Sequence, residues 1–156
     1  MSDSPRHAFH VSRACLCLAL SACVLVSACD RAGRRIADVN SNVSKRQIRA
    51  AIWLATHPTR DALPALRFGL ESTELRVRVE CAGAIGATGD AAAMAEASRV
   101  LRRDALSAVH SVAEKALLGM RALGAAAVPD LMTVALLTTD PYTLTLVGST
   151  IADTLQ

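Results

Sequence analysis

Aromatic residues are nearly missing from this chain: one Trp, one Tyr and two Phe, 3% of 156 residues. That removes the stacking platforms on which single-stranded nucleic-acid binding is built. With a net charge of only +3, nucleic acid is not expected as a partner. Histidine is also scarce. Beyond the N-terminal segment only His57 and His110 remain, far apart and neither followed by Glu. No His/Cys/Asp/Glu group has metal-ligand spacing, so no metal centre or cofactor is expected. No Gly-rich phosphate loop is present, and no Ser/His/Asp arrangement points to an activated nucleophile. Glu71, Glu74, Glu80 and Asp90 read as caps and solvated faces rather than a catalytic carboxylate pair. The chain is therefore not expected to be an enzyme. Cysteine is concentrated at one end: Cys15, Cys17, Cys23 and Cys29 precede a single further thiol, Cys81. One thiol cannot close an intramolecular disulfide, so the domain beyond Cys29 must hold together without one. Cys81 falls on the apolar side of a predicted helix and is expected to be a small buried hydrophobe.

What is present begins with a three-part N-terminal segment. Residues 1–13 are polar and slightly basic, residues 14–28 (ACLCLALSACVLVSA) are uncharged and apolar, and Ser27-Ala28 are small. The run is shorter than the ~20 residues a membrane-spanning helix needs. Leu25-Val26-Ser27-Ala28-Cys29 resembles the lipobox of bacterial lipoproteins, with Val26 where Leu is usual. The resemblance implies cleavage between Ala28 and Cys29 and lipid on the Cys29 thiol. It implies export, with attachment to the periplasmic face of a membrane. Asp30 weakly favours the inner membrane. An ordinary signal cleaved at Ala28 and an uncleaved anchor are the alternatives. Residues 29–44 read as a lipidated tether, polar and weakly periodic. Its Arg31, Arg34 and Arg35 either rest against anionic headgroups or are simply solvated.

From Lys45 to Gln156 the pattern is helical, rich in Ala and Leu with Gly and Pro as punctuation. The spacing predicts a helix over 45–56, with Ile48, Ile52 and Ala55 on one face and Ser44 as N-cap. A second follows over 61–70 with a Leu63/Leu66/Leu70 stripe and Pro64 in its first turn. A third over 75–88 is lined by Val77, Cys81, Ala84 and Ile85, stopped by Gly89 and followed by Asp90 as the next cap. A fourth over 91–102 carries Met94, Ala97 and Leu101. A turn at Arg103-Asp104 leads to a fifth over 105–123, whose apolar set includes Val109 and Val112, and Gly124 stops it. A sixth covers 126–137. Residues 142–155 are Thr-rich and β-branched, so strand competes there. Helix is favoured because Leu146, Ile151 and Leu155 recur at near-helical spacing.

The segment from Val77 matches the segment from Val109 in residue type at an offset of about 32, and Leu63-Pro64 recurs as Val128-Pro129 about two periods on. A period slightly above 30 that contains two helices is an α-solenoid unit. The unit Leu63-Pro64-Ala65-Leu66, Val77-Arg78, Cys81-Ala82, Ala84-Ile85-Gly86 and Gly89-Asp90 resembles the bacterial HEAT repeat, a group that includes the HEAT-like repeats of phycobilin lyases. The resemblance covers 45–156 and implies an all-α, short right-handed α-solenoid of three to four hairpins. Within it, Arg78 is expected to cross to an acidic residue or to turn carbonyls, with His110 at the matching place one unit later.

The function expected from these readings is a non-catalytic protein-protein interaction scaffold in the bacterial cell envelope. It would be held to the membrane by lipid on Cys29 and present inner-helix residues Arg78, His110 and Lys115 to an envelope protein or peptide. A tetrapyrrole lyase-like or isomerase-like enzyme, which would call for a reactive Cys81, and a structural accessory subunit of an envelope complex are the alternatives.

Overall fold

Eight helices account for most of residues 31–155, the part of the chain that the computed structural model describes; no strand occurs among them. Cleavage at Ala28 and lipid on Cys29 lie outside the described residues. Helix α1 covers 31–39. It is followed by α2 (Ser44–Thr56), α3 (Leu63–Leu70), α4 (Leu75–Thr88), α5 (Ala91–Ala105), α6 (His110–Arg121), α7 (Val128–Leu137) and α8 (Pro141–Thr154). The Thr-rich C-terminal segment is thus helical. Its buried face is polar: Thr143 and Thr150 flank Val147. Burial is tolerated because each hydroxyl is already satisfied within the helix, Thr143 Oγ1 donating to Asp140 Oδ2 at 2.6 Å and Thr150 Oγ1 to the Leu146 carbonyl at 2.7 Å. Leu146 and Ile151 flank that face, and Leu155 is exposed.

Packing follows two rows. Helices α2, α4, α6 and α8 each pack on the next, and α3, α5 and α7 do the same alongside them. The core between the rows is aliphatic and Ala-rich, centred on Leu54, Leu66, Ile85, Leu101, Leu117 and Leu131. Small residues let the rows close up. A Cβ on Gly86 would overlap the Ala122 carbonyl, and one on Gly119 would lie 2.8 Å from Leu101 Cδ1 and 3.3 Å from Val79 Cγ1.

The helix entries repeat. Ser41, Ser72, Ser107 and Thr138 each accept, through the side-chain oxygen, the N–H of the residue two positions on, at 3.0–3.3 Å. Those acceptors precede the N-caps of α2, α4, α6 and α8, which are Val43, Glu74, Val109 and Asp140, all extended. Such a turn fixes the chain direction before the helix begins. Two exits match as well: Gly89 after α4 and Gly124 after α6 both have positive φ, 69° and 58°, which glycine adopts without strain. Ion pairs tie the row of α3, α5 and α7 together in the same way. Arg67 meets Glu96 at 2.9 Å between α3 and α5, and Arg102 meets Asp130 at 2.9 Å between α5 and α7.

Three local expectations need correction. The segment read as a tether is helical over 31–39, with Val39 fully buried and its carbonyl accepting a hydrogen bond from Gln47 Nε2 at 3.0 Å. On α2 the buried face is Gln47, Ile48, Ala50, Ala51 and Leu54, and Ile52 is exposed. The break between α5 and α6 falls at 106–109 rather than at Arg103-Asp104. Arg102 and Asp104 are held by ion pairs to Asp130 and Arg78, so those charges continue the helix instead of ending it. Val109 becomes an exposed N-cap.

Candidate interaction surface

The three side chains singled out from sequence have three different fates. Arg78 is buried, and its guanidinium is fully engaged. Nε donates to Asp104 Oδ2 at 2.8 Å, Nη2 makes an ion-pair contact with the same oxygen at 2.8 Å, and Nη1 donates to the Ser72 carbonyl at 2.6 Å. It therefore ties the start of α4 to the end of α5 and to its own entry turn, as expected of a crossing residue. A buried cation needs such a partner, because desolvation penalises an unpaired charge heavily. With only 7% of its surface exposed, Arg78 offers a partner nothing without breaking that network.

His110 is exposed at the first position of α6. Its ring stacks on Tyr142 with centroids 4.9 Å apart, and Nε2 lies 3.4 Å from Asp140 Oδ2. Asp140 caps α8. The Thr143 hydroxyl, the Thr143 N–H and the nearby His110 together hold its carboxyl below the usual 3.8. With Arg121–Asp153 at 3.2 Å, this cluster joins the two ends of α6 and α8. His110 is not the counterpart of Arg78. Aligning the N-caps Glu74 and Val109 gives an offset of 35 residues, which places His110 opposite Leu75 and the buried Ala113 opposite Arg78. The same offset superimposes Gly89 on Gly124, Ser72 on Ser107, Arg67 on Arg102 and Leu66 on Leu101. The match at 32 is displaced by about one helical turn, which keeps apolar residues opposite apolar ones and so looks plausible by type. Identical residues recurring at 35 are the sequence signal that fixes the register.

Lys115 lines a cleft. Between α4 and α6 an open depression of about 220 Å³ is bounded by Arg76, Val79 and Glu80 on one side and Lys115 and Leu118 on the other. A Cβ on Gly119 would lie 3.3 Å from Val79 Cγ1, so this glycine lets α6 approach α4 beside the depression. Arg76 faces Glu80 one turn on at 3.8 Å. Lys115 is exposed and makes no ion pair with a described residue, and Leu118 is 55% exposed. The cleft thus combines an unpaired cation with open apolar surface. Arg78 and His110 do not line it, so the structure separates the three residues rather than converging them.

No protein-family model matches this chain, and no curated protein matches it. Among the described residues no group of three or more His, Cys, Asp or Glu could hold a metal ion. Cys81 is fully buried against α3, where a Cβ on Gly69 would overlap its sulfur. Burial, helped by the neighbouring Glu80 charge, pushes its thiol from 9.0 up to about 12. A second depression, of about 320 Å³, lies at the entry turns of α2 and α4 and is lined by Ser41, Asn42, Gln47, Phe68, Glu71 and Thr73 among others. It is polar, open and holds no nucleophile–base pair. No helix among the described residues is long and apolar enough to cross a membrane.

Proposed function

We propose that this chain is a lipid-anchored, non-catalytic scaffold of the bacterial envelope, built as a short right-handed α-solenoid of HEAT-like hairpins. The carrying observation is serial packing: two rows of helices, repeated entry turns and repeated ion pairs, with an open cleft on the row that contains α4 and α6. Repeats of this kind bury their apolar faces against neighbours and leave an extended surface for protein contact. The α4/α6 cleft fits a protein segment that offers a carboxylate to Lys115 and an apolar side chain to Leu118. The lipid anchor rests on the Leu25–Cys29 motif, and the small residues before Cys29 suit peptidase access.

The test is chemical crosslinking in intact membranes followed by recovery of the chain, comparing the native form, Lys115→Glu with Leu118→Asp, and Cys29→Ala. Native protein should capture a small set of partners that the cleft double variant loses. Identical capture by both would remove the cleft from the reading.

A specific observation favours the accessory-subunit reading as second choice. Half of the large apolar side chains exposed among the described residues lie between Met132 and Leu155, with Leu136 84% exposed. Terminal repeats normally present a polar outer face, so an apolar one suits a surface covered by a larger assembly. The lyase-like reading is weakened, because Cys81 is sealed in the core and its thiol is far from ionising.

A further inference from the structure

Charge is distributed unevenly along the described chain. Residues 34–56 carry Arg34, Arg35, Lys45, Arg46 and Arg49 against one acid, Asp38, whereas residues 57–155 carry nine Arg and Lys against eleven Asp and Glu. Pairing sharpens the contrast. In the later helices Arg67, Arg76, Arg78, Arg102 and Arg121 each face a carboxylate. On α2, Lys45, Arg46 and Arg49 are exposed and make no ion pair with a described residue. The fold then gathers what the sequence only lists in order. Arg35 of α1 and Arg46 and Arg49 of α2 surround one depression of about 200 Å³, with Asp38 at its edge 3.4 Å from Arg35.

We propose that this α1–α2 face is the membrane-contacting surface of the protein and binds the headgroups of an anionic bilayer. Three guanidinium groups around one depression present the fork geometry that receives phosphate oxygens. A basic patch adds to acyl-chain anchoring as a second, electrostatic attachment. An anionic bilayer is favoured over nucleic acid because the face has no aromatic platform for bases: of the described aromatics, only Trp53 belongs to α2, and its ring is stacked on His57 at 4.2 Å. The inference rests on the lipid-anchored reading only in choosing a bilayer as the anion. Its consequence is orientation: contact through α1–α2 directs the far end of the rows, α7 and α8, away from the anchoring face.

The test uses the full chain carrying Cys29→Ala, so that lipid plays no part. Sedimentation with phosphatidylcholine vesicles is compared with sedimentation with the same vesicles doped with phosphatidylglycerol. The apolar run before Cys29 is common to every variant and both vesicles, so the difference between vesicles is the readout. The account expects preference for the doped vesicles, declining as salt is raised. Arg46→Glu with Arg49→Glu should weaken that preference at least about tenfold, while Arg60→Glu with Arg99→Glu, also exposed but elsewhere, should retain it. Unchanged circular dichroism shows that each pair of variants is folded. Equal binding to both vesicles, or equal loss in both double variants, would overturn the inference. So would retention on an RNA column without vesicle preference. None of these results bears on Cys29, whose test is membrane release of the unlipidated chain from cells.

Discussion

Arg78 shows how one side chain is fixed by what surrounds it. Its contacts with Asp104 and Ser72 join the start of α4, the end of α5 and an entry turn. Removing one partner of a buried pair leaves the other charge unpaired. Arg78→Ala should therefore lower unfolding free energy by about 3–5 kcal/mol, read from urea denaturation, and Asp104→Ala should do similar damage. Combining them should cost much less than the sum. Cys81 makes a second residue-scale prediction. Its folded thiol is held near 12 against 9.0 for an ordinary one. Below 9.0 the thiol is neutral in both states and the contribution is fully present. Above 9.0 the unfolded thiol ionises first, so stability declines with pH until about 12. Cys81→Ala should flatten that alkaline decline. A thiol reagent at neutral pH should label native protein only as fast as it opens, and denatured protein at once. Rapid labelling of the native state would contradict the burial. That Cys81 is a small core hydrophobe was legible in sequence, because its position on the apolar face already said so.

At the scale of elements, what the sequence revealed and what it concealed have physical causes. The ends of α3, α4 and α7 were legible because Pro64, Gly89, Asp90 and Pro129 act through local backbone geometry. Asp90 and Asp140 do accept the N–H groups of Ala93 and Thr143, each at 2.9 Å. The α5–α6 break was concealed because Arg103-Asp104 looks like a turn until Asp104's partner, Arg78, and the Arg102–Asp130 pair beside it are known. Those contacts span 26 and 28 residues, beyond any local rule. Helix α1 was concealed for a related reason: Val39 is its only fully buried residue among the described ones, too little to create a visible stripe. Two glycines of α4 give a paired prediction. Gly83→Ala meets only Ala122 Cβ at 4.0 Å and should stabilise by about 0.5–1 kcal/mol through lower unfolded-state freedom. Gly86→Ala would strike the Ala122 backbone and should destabilise by about 1–3 kcal/mol. Thermal melts of the two variants should therefore move in opposite directions. Shifts of the same sign would mean that α4 and α6 are not as closely apposed as described.

For the whole molecule, the rows of helices leave three surfaces of different character. The α1–α2 face is cationic, the α4/α6 cleft sets a cation without an ion pair among the described residues beside open apolar surface, and the α7–α8 end is apolar. The candidate site was only partly legible. Lys115 does line the cleft, Arg78 is buried in its own ion pair, His110 was placed by a repeat register one turn out of step, and the cleft-lining Arg76, Val79 and Leu118 were missed because closeness between α4 and α6 depends on Gly119. An anchored scaffold needs these surfaces to act at a membrane, so anchoring and partner capture must fail together when lipidation is blocked. The most direct measurement is crosslinking in intact membranes, comparing native chain with Cys29→Ala at equal expression. The account predicts that native chain stays with salt-washed membranes and captures one or a few envelope proteins, while Cys29→Ala, held only by the salt-sensitive α1–α2 contact, is released in folded form by the wash and loses them. A Cys29→Ala chain that stays in the membrane fraction with the same partners would contradict the account.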